Sequence, residues 1–269
     1  MRRAIGILIL TGLLLVLPLP GPAAAGASQP TGATASAATL RADFNGDGAA
    51  DLAIGVPGEN NFSGVVQVLY GASPGGLTGT GTQLWSQNSP GIASAPERND
   101  QFGGVLAAGD FNGDAAADLA IGVPGENNFS GVVHVLHGSS PGGLTGIGSQ
   151  LWSQNSPGIA SAPEPGDQFG SVLAAGDFNG DGAADLAVGV PGENNFAGVV
   201  QVLSGASPGG LTGIGSQLWS QNSPGIASAP ERDDIFGGAL AAGDFNGDAA
   251  ADLAVGVPGE NNFAGVVQV

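Results

Sequence analysis

From residue 38 onward, apolar residues come in short runs that alternate with small or polar residues, which predicts β-strands rather than helices. In residues 52–56 the large side chains alternate with alanine and glycine, so Leu52, Ile54 and Val56 share one face of a strand. The small residues on the other face would let a neighbouring sheet approach closely. No segment carries a helical stripe of useful length. The four kinds of predicted strand, here called A to D, are represented by residues 105–109, 52–56, 64–70 and 82–86, with a turn at 73–76.

The pattern returns every 67 residues: Asp43, Asp110, Asp177 and Asp244 are equivalent, and Trp85, Trp152 and Trp219 keep the same spacing. Units of four short strands that repeat at such an interval are typical of the blades of a β-propeller. One blade cannot bury both of its faces, so blades must stack on each other. We therefore predict an all-β propeller of four-stranded antiparallel blades, about three and a half repeats long. The blades are expected at residues 38–101, 102–168 and 169–235, with an incomplete blade at 236–269.

Residues 1–27 have the features of a secretory signal peptide, with Arg2 and Arg3 at the start, an apolar core and small residues near the expected cleavage site. The apolar run is shorter than the roughly 20 residues of a membrane span, and an uncleaved anchor is the alternative. Residues 28–37 are interpreted as a linker, because they offer nothing to bury. We expect a secreted, extracellular protein with no membrane insertion after signal cleavage.

The composition is acidic and contains no cysteine, which excludes disulfides and thiolate metal sites. The net charge is −18 and only five residues are basic, so nucleic-acid binding is not expected, because phosphate contacts need lysine and arginine. Twelve of the 23 carboxylates lie in four short loops, one in each repeat. Acidity also favours solubility. The clustering nevertheless favours ion binding, and four divalent ions would bring the net charge to about −10.

Each of these loops joins strand A to strand B and has the form Asp-x-Asn-Gly-Asp-Gly/Ala-x-x-Asp. A hard divalent cation needs about six to eight oxygen ligands, which carboxylates and carbonyls supply. Side-chain oxygens at positions 1, 3, 5 and 9 and the backbone carbonyl at position 7 provide such a set, and we predict Ca²⁺ as the cofactor. The candidate metal ligands are Asp43, Asn45, Asp47, Ala49, Asp51, Asp110, Asn112, Asp114, Ala116, Asp118, Asp177, Asn179, Asp181, Ala183, Asp185, Asp244, Asn246, Asp248, Ala250 and Asp252.

The alternative for these loops is a metal-free turn, because aspartate and asparagine also bond to their own backbone. Three carboxylates about 4 Å apart repel by roughly 4 kcal/mol per pair, and a simple turn would not need all three. The copies differ at position 6, where Gly48 and Gly182 alternate with Ala115 and Ala249. If this position requires a positive φ, alanine costs about 1 kcal/mol, which predicts weaker binding in the second and fourth loops.

Three signatures recur in a fixed order: Phe-Gly, the acidic loop and Gly-Val-Pro-Gly. This arrangement resembles the FG-GAP repeat of integrin α-subunit propellers and of secreted bacterial proteins, over residues 38–269. The resemblance implies a β-propeller with calcium in the A–B loops, bound by side chains that match Asp43, Asn45, Asp47 and Asp51 and by the backbone of Ala49. It also implies that ligands bind on the opposite rim, which the B–C and D–A loops form, here residues 57–63 and 87–101 and their copies.

The chain departs from this family pattern in several ways. The usual Gly-Ala-Pro is Gly55-Val56-Pro57, and the first repeat has Ala35-Ser36 in place of Phe-Gly. The family usually has seven blades, whereas fewer than four complete units are found here. A blade without its outer strand exposes a sheet edge, which favours pairing with another chain. A shortened reading frame, a compact ring, an open arc and self-association of chains through open blade edges are the alternatives.

The leading hypothesis is a calcium-binding propeller that acts as a binding or adhesion module for an extracellular protein or glycan. The enzyme alternative, a propeller of a polysaccharide- or ester-cleaving enzyme, lacks a catalytic set, because His134 and His137 are three apart on a strand and face opposite sides. A structural surface spacer is the third alternative. The tryptophans of strand D favour blade packing over sugar stacking. The candidate ligand-binding residues on the rim, whose alternative is a solvated loop, are Glu59, Glu126, Glu193 and Glu260.

Overall fold

The computed structural model describes residues 42–269, which form four antiparallel sheets arranged as successive blades. The predicted signal peptide and linker lie outside the described residues. Blade 1 contains β1 (Leu52–Val56), β2 (Val65–Ala72) and β3 (Gly76–Trp85). Blade 2 contains β4 (Val105–Gly109), β5 (Asp118–Val123), β6 (Val132–His137) and β7 (Thr145–Trp152). Blade 3 contains β8 (Val172–Gly176), β9 (Asp185–Val190), β10 (Val199–Ser204) and β11 (Thr212–Trp219), and blade 4 contains β12 (Ala239–Gly243), β13 (Asp252–Val257) and β14 (Val266–Gln268).

The predicted all-β fold is confirmed, and neighbouring strands pair in the order A–B–C–D within blades 2 and 3. The strands predicted at residues 52–56 and 105–109 are β1 and β4. The prediction for strand D was too short, because β3 begins at Gly76. Its outer half pairs with β2 through the backbone across a register shift between Val68 and Tyr70, and its glycines leave no apolar alternation for sequence analysis to detect.

The B–C connections each contain a four-residue helical turn with unusual backbone angles. These turns are α1 (Glu59–Phe62), α2 (Glu126–Phe129), α3 (Glu193–Phe196) and α4 (Glu260–Phe263). In α1 the angle φ is 52° at Asn60, 60° at Asn61 and 64° at Phe62, so the turn is left-handed. Asparagine tolerates this region, whereas phenylalanine rarely adopts it. Among residues 42–269, no helix has the length and apolarity that crossing a membrane requires.

Adjacent blades pack through apolar faces with glycine at the closest approach. Strand B of blade 2 buries Leu119, Ile121 and Val123 in one cluster with Val66 and Val68 from strand C of blade 1. The equivalent clusters join blade 2 to blade 3 and blade 3 to blade 4. The predicted role of the small residues on the other face of strand B is confirmed, since a Cβ atom on Gly55 would collide with the backbone carbonyl oxygen of Gly103.

The blades contact each other in chain order through their innermost strands. Blade 1 touches blade 2, blade 2 touches blade 3 and blade 3 touches blade 4. Within residues 42–269 the stack does not close into a ring. Two apolar faces therefore remain at the ends of the stack, one on blade 1 and one on blade 4.

Candidate metal centre

The A–B loop curls around its own side chains through bonds from its backbone. In blade 2 the carboxylate of Asp110 accepts hydrogen bonds from the backbone N–H of Asp114, at 3.0 Å, and of Ala115, at 2.8 Å. The side-chain oxygen of Asn112 accepts from the N–H of Asp114 at 2.9 Å, and Asp114 accepts from the N–H of Ala116 at 2.9 Å. The loop backbone therefore orients the first three acidic or amide side chains of the loop.

The aspartate at position 9 connects the loop to the far end of strand C. Asp118 is fully buried, and its two carboxylate oxygens accept from the backbone N–H of Phe111 and of Gly138, each at 2.9 Å. Asp51 and Asp185 make the equivalent pair of bonds in blades 1 and 3. Position 9 thus couples the loop to the sheet, a role that its spacing in the sequence did not reveal.

The electrostatic environment of these loops disfavours further negative charge. Burial raises the pKa of Asp51, and repulsion from Asp43 and Asp47 adds to the rise, while hydrogen bonds from the backbone of Gly71 and Phe44 oppose it. Asp185 follows the same pattern, with burial as the main cause. A bound cation would relieve this repulsion.

The donor set fits a hard divalent cation, because every candidate ligand is an oxygen and the loop backbone already holds positions 1, 3 and 5. The carboxylates keep lone pairs beyond those used by the backbone bonds. Within residues 42–269, however, no three acidic or histidine side chains converge into a preassembled cluster. Calcium binding by the 20 candidate ligands therefore stays a prediction.

Position 6 of the A–B loop has a positive φ in all four copies, which is the condition on which the predicted affinity ranking depends. The angle is 83° at Gly48 and 92° at Gly182, and it is 73° at Ala115 and 75° at Ala249. The two alanines therefore occupy the left-handed region at a cost that glycine avoids. The resulting ranking of calcium affinities remains a prediction.

The two histidines of strand C have different partners, in agreement with their expected opposite orientations. His134 is fully buried and contacts the hydroxyl of Ser94 at 2.9 Å, and burial lowers its pKa to about 4. His137 lies beside the A–B loop of its own blade, 3.3 Å from Asp118 and 3.4 Å from Asn112. The contact of His137 with Asp118 was not predicted from the sequence, and it distinguishes the second loop from the first and the third, where Tyr70 and Ser204 stand at this position.

On the opposite rim, the B–C loops of blades 2, 3 and 4 each meet the D–A connection that precedes them in the chain. A buried polar cluster lies at each of these meeting points. The side-chain amide of Gln87 donates to Glu126 at 2.7 Å and to Asp100 at 3.0 Å. Burial raises the pKa of Glu126 to about 7, and the nearby charges of Asp100 and Glu97 contribute to the rise. Gln154 with Glu193 and Gln221 with Glu260 repeat the main contact, at 2.6 Å and 2.5 Å.

The four candidate rim glutamates are therefore not equivalent. Glu126, Glu193 and Glu260 are buried within the protein, whereas Glu59 is exposed. Ligand binding through these residues stays a prediction, and Glu59 is the copy whose side chain a ligand can reach. The expectation of a solvated loop fits Glu59 alone.

Two equivalent surface cavities, of about 360 and 570 Å³, lie on the same rim. Each is bounded by a B–C loop and by the D–A connection that follows in the chain. The lining residues that the two cavities share in equivalent positions are Asn127 and Asn194, Ser153 and Ser220, Asn155 and Asn222, Pro163 and Pro230, and Glu164 and Glu231.

Comparison with known proteins gives consistent results. The profile described as FG-GAP repeat matches residues 34–69, 102–136, 169–203 and 236–269. The chain is 34% identical over 167 residues to phosphatidylinositol-glycan-specific phospholipase D of Rattus norvegicus, covering 59% of this chain and 18% of the relative. It is 35% identical over 163 residues to integrin alpha-X of Mus musculus, covering 59% and 13%. It is 31% identical over 238 residues to integrin alpha pat-2 of Caenorhabditis briggsae, covering 84% and 18%. The chain thus spans less than a fifth of the length of each of these relatives.

Proposed function

The chain belongs to the FG-GAP repeat family, and from this premise we propose that it is a secreted, calcium-stabilised propeller module that binds a protein or glycan outside the cell. The leader-like residues 1–27 and the similarity to integrin α subunits support the extracellular location. Calcium has a structural role in this proposal, and the ligand binds on the opposite rim.

The position of the metal loops at the blade junctions is the observation that carries the structural role. The backbone carbonyl of Asp43 accepts a hydrogen bond from the N–H of Ala117 in the next blade, at 2.9 Å. The carbonyls of Asp110 and Asp177 accept equivalent bonds from Ala184 and Ala251, at 2.8 and 2.7 Å. Position 1 of each of these loops thus contributes both a candidate metal ligand and a contact between blades.

The bound ion would neutralise the carboxylates of positions 1, 5 and 9 and hold the loop in the shape that the next blade contacts. Extracellular modules bind calcium with dissociation constants of about 10⁻⁴ to 10⁻³ M. At a free calcium concentration ten times the dissociation constant, each site adds about 1.4 kcal/mol to the free energy of unfolding. Four such sites match the total stability of many small domains, which is about 5–15 kcal/mol.

The binding role is supported by the two equivalent rim cavities. Their asparagine, serine and glutamate side chains offer hydrogen-bond donors and acceptors at the same positions in two successive blades. Such a lining suits a polar ligand with a repeating structure, as in a glycan or an extended peptide.

A second candidate is the propeller part of a larger secreted hydrolase, because several relatives are named phosphatidylinositol-glycan-specific phospholipase D. These proteins are much longer than the matched region, and the same repeat occurs in relatives named integrin alpha. Within residues 42–269, His134 and His137 have separate partners and do not form a joint site. We therefore propose a non-catalytic role for this chain.

Calcium titration followed by thermal unfolding tests the structural role. We expect the midpoint temperature to rise with calcium and to fall with EDTA, and we expect a variant with alanine at Asp43, Asp110, Asp177 and Asp244 to lose this response. An unchanged midpoint with EDTA and with excess calcium would refute the role of calcium. A glycan and protein array, probed with and without EDTA, tests binding, and the absence of any calcium-dependent ligand would favour a structural spacer.

A further inference from the structure

His137 brings an imidazole nitrogen to the second A–B loop, which comprises residues 110–118. Its Nδ1 atom lies 3.3 Å from the Oδ2 atom of Asp118 and 3.4 Å from the side-chain nitrogen of Asn112. The charge of Asp114 also acts on the ring. The side chain of His137 is only 13% exposed, so it approaches the loop from within the protein. The second loop thus combines one nitrogen with the oxygen atoms of its candidate ligands.

Contacts from two directions fix the orientation of this ring. A backbone hydrogen bond joins the ring of His137 to Gly148 of the paired strand β7. Because Nδ1 faces the loop, Nε2 is the ring nitrogen left for this bond. A Cβ atom on Gly210 of blade 3 would lie 2.8 Å from the Cε1 atom of His137, so the next blade packs against the ring. Histidines that bind metals are commonly oriented in this way, through a hydrogen bond from their second ring nitrogen.

The separation of Nδ1 of His137 and Oδ2 of Asp118 suits two ligands of one metal ion. Zinc binds imidazole nitrogen at about 2.0–2.1 Å and carboxylate oxygen at about 2.0–2.2 Å, most often with tetrahedral geometry. Two ligand atoms of such an ion are about 3.3–3.5 Å apart, and the observed separation is 3.3 Å. The alternative is a proton on Nδ1, which would make the same contact an ion pair.

Blades 1 and 3 have other side chains at the position of His137, namely Tyr70 and Ser204. The hydroxyl of Tyr70 donates to the side chain of Gln83 and accepts from the backbone N–H of Leu144 in blade 2. Tyr70 therefore uses its polar atom in the contact between blades and not in its own A–B loop. An imidazole beside the loop is a feature of blade 2 and not of the repeat as such.

We propose that His137, Asp118 and the second A–B loop bind a first-row transition metal, for which Zn²⁺ is the probe. The inference rests on the proposed function in one respect, because it requires that the A–B loops hold a cation. Imidazole nitrogen is a common ligand of zinc, copper, iron and nickel, whereas calcium prefers oxygen. His137 therefore shifts the preference of this loop from calcium towards the softer ion.

The third protein ligand in this proposal is Asp114. Within residues 42–269 no three acidic or histidine side chains are preassembled around an ion, so one side chain has to turn. Asp114 is exposed and its charge acts on His137, so its carboxylate can turn towards an ion bound at Nδ1. Water can occupy a remaining position, as it does in open zinc sites.

Calorimetric titration with zinc, with and without excess calcium, measures the affinity and the number of sites in the full chain without an affinity tag. His137→Tyr removes the nitrogen and introduces the residue that blade 1 has at this position. His134→Gln is the matched control, because it removes the other histidine of the chain and because blades 1 and 3 have glutamine there. An exchange variant, Tyr70→His with His137→Tyr, keeps the composition and moves the imidazole to the first loop. Circular dichroism verifies that each variant is folded.

We expect one zinc ion to bind the parent chain and His134→Gln with equal affinity, and His137→Tyr to weaken binding at least about tenfold. The exchange variant should regain a zinc site. Nitrogen NMR of the imidazole rings provides a direct readout of ligation. Zinc should shift the Nδ1 resonance of His137 in the parent chain and leave the resonances of His134 unchanged.

Equal zinc affinity of the parent chain and folded His137→Tyr would overturn the inference and leave a proton as the explanation of the contact with Asp118. An Nδ1 resonance of His137 that does not move at saturating zinc, or a folded exchange variant without a zinc site, would also overturn it. Calcium titration of the same variants separates this inference from the proposed function. Stabilisation by calcium without a zinc site at His137 refutes the inference alone, whereas the absence of a response to either ion refutes both.

Discussion

Replacing Glu126 with glutamine should stabilise the protein at neutral and alkaline pH and leave its stability in acid almost unchanged. Glu126 is 7% exposed and Asp100 is 1% exposed, and both carboxyl groups face the single side-chain amide of Gln87. One amide cannot offset two buried negative charges, so a proton on Glu126 is favoured, and its pKa rises to about 7. A glutamine at this position imitates the protonated side chain at every pH.

The direction of the pH effect follows from proton binding. The pKa of Glu126 is about 7 in the folded protein against 4.5 for a free side chain, so the folded state holds more protons between these values. The free energy of unfolding therefore falls as the pH rises through this window and stays low above pH 7. With allowance for solvent screening, we expect the loss to be about 1–2 kcal/mol, and Glu126→Gln should recover it. The corresponding rise in the midpoint temperature is about 2–8 °C for a chain of this size.

Thermal and urea unfolding of the parent protein and of Glu126→Gln, from pH 4.5 to 8 with saturating calcium, measures this difference. Both proteins have the same A–B loops, so any contribution of these loops to the pH dependence cancels in the comparison. Glu59→Gln is the matched control, because Glu59 occupies the equivalent position but is exposed. The reasoning is refuted if the gain in stability is independent of pH, or if the control shows the same gain.

Three further substitutions test the loops and the packing of the blades. Ala115→Gly should tighten calcium binding by the second loop by about fivefold, since glycine relieves a φ of 73°, and calorimetric titration against the parent measures it. Phe111→Ala should lower the free energy of unfolding by about 3–5 kcal/mol, whereas the copy Phe245→Ala should cost much less, as urea unfolding would show. Gly122→Ala should destabilise the protein through a collision with the carbonyl of Gly170, and the equivalent Gly256→Ala, whose new Cβ atom would meet only Ala239 among the described residues, should be better tolerated in the same assay. Equal effects within either pair would contradict the proposed stacking.

The sequence was sufficient for features that depend on neighbours along the chain. The alternation at residues 52–56 identified β1, and glycine in other copies at the position of Ala115 suggested the condition of a positive φ, which the structure meets. The buried pair of Gln87 and Glu126 could not be found in this way, because the two residues are 39 positions apart and meet only when the D–A connection crosses the next blade. The contact between His137 and Asp118 was missed because it depends on the pairing of β5 with β6.

The environment of each A–B loop also depends on the following blade, which adds a second criterion to the affinity ranking drawn from position 6. Gly46 in the first loop lies against Ser140 of blade 2, whereas among the described residues nothing comparable lies beside Gly247 in the fourth. The first loop also has glycine at position 6, where the fourth has Ala249. A rigid neighbour and a relaxed backbone both reduce the cost of ordering the ligands. We therefore expect the first loop to bind calcium most tightly and the fourth most weakly. Calorimetric titration of Asp43→Ala should show loss of the tightest site, and the ranking fails if Asp244→Ala removes that site instead.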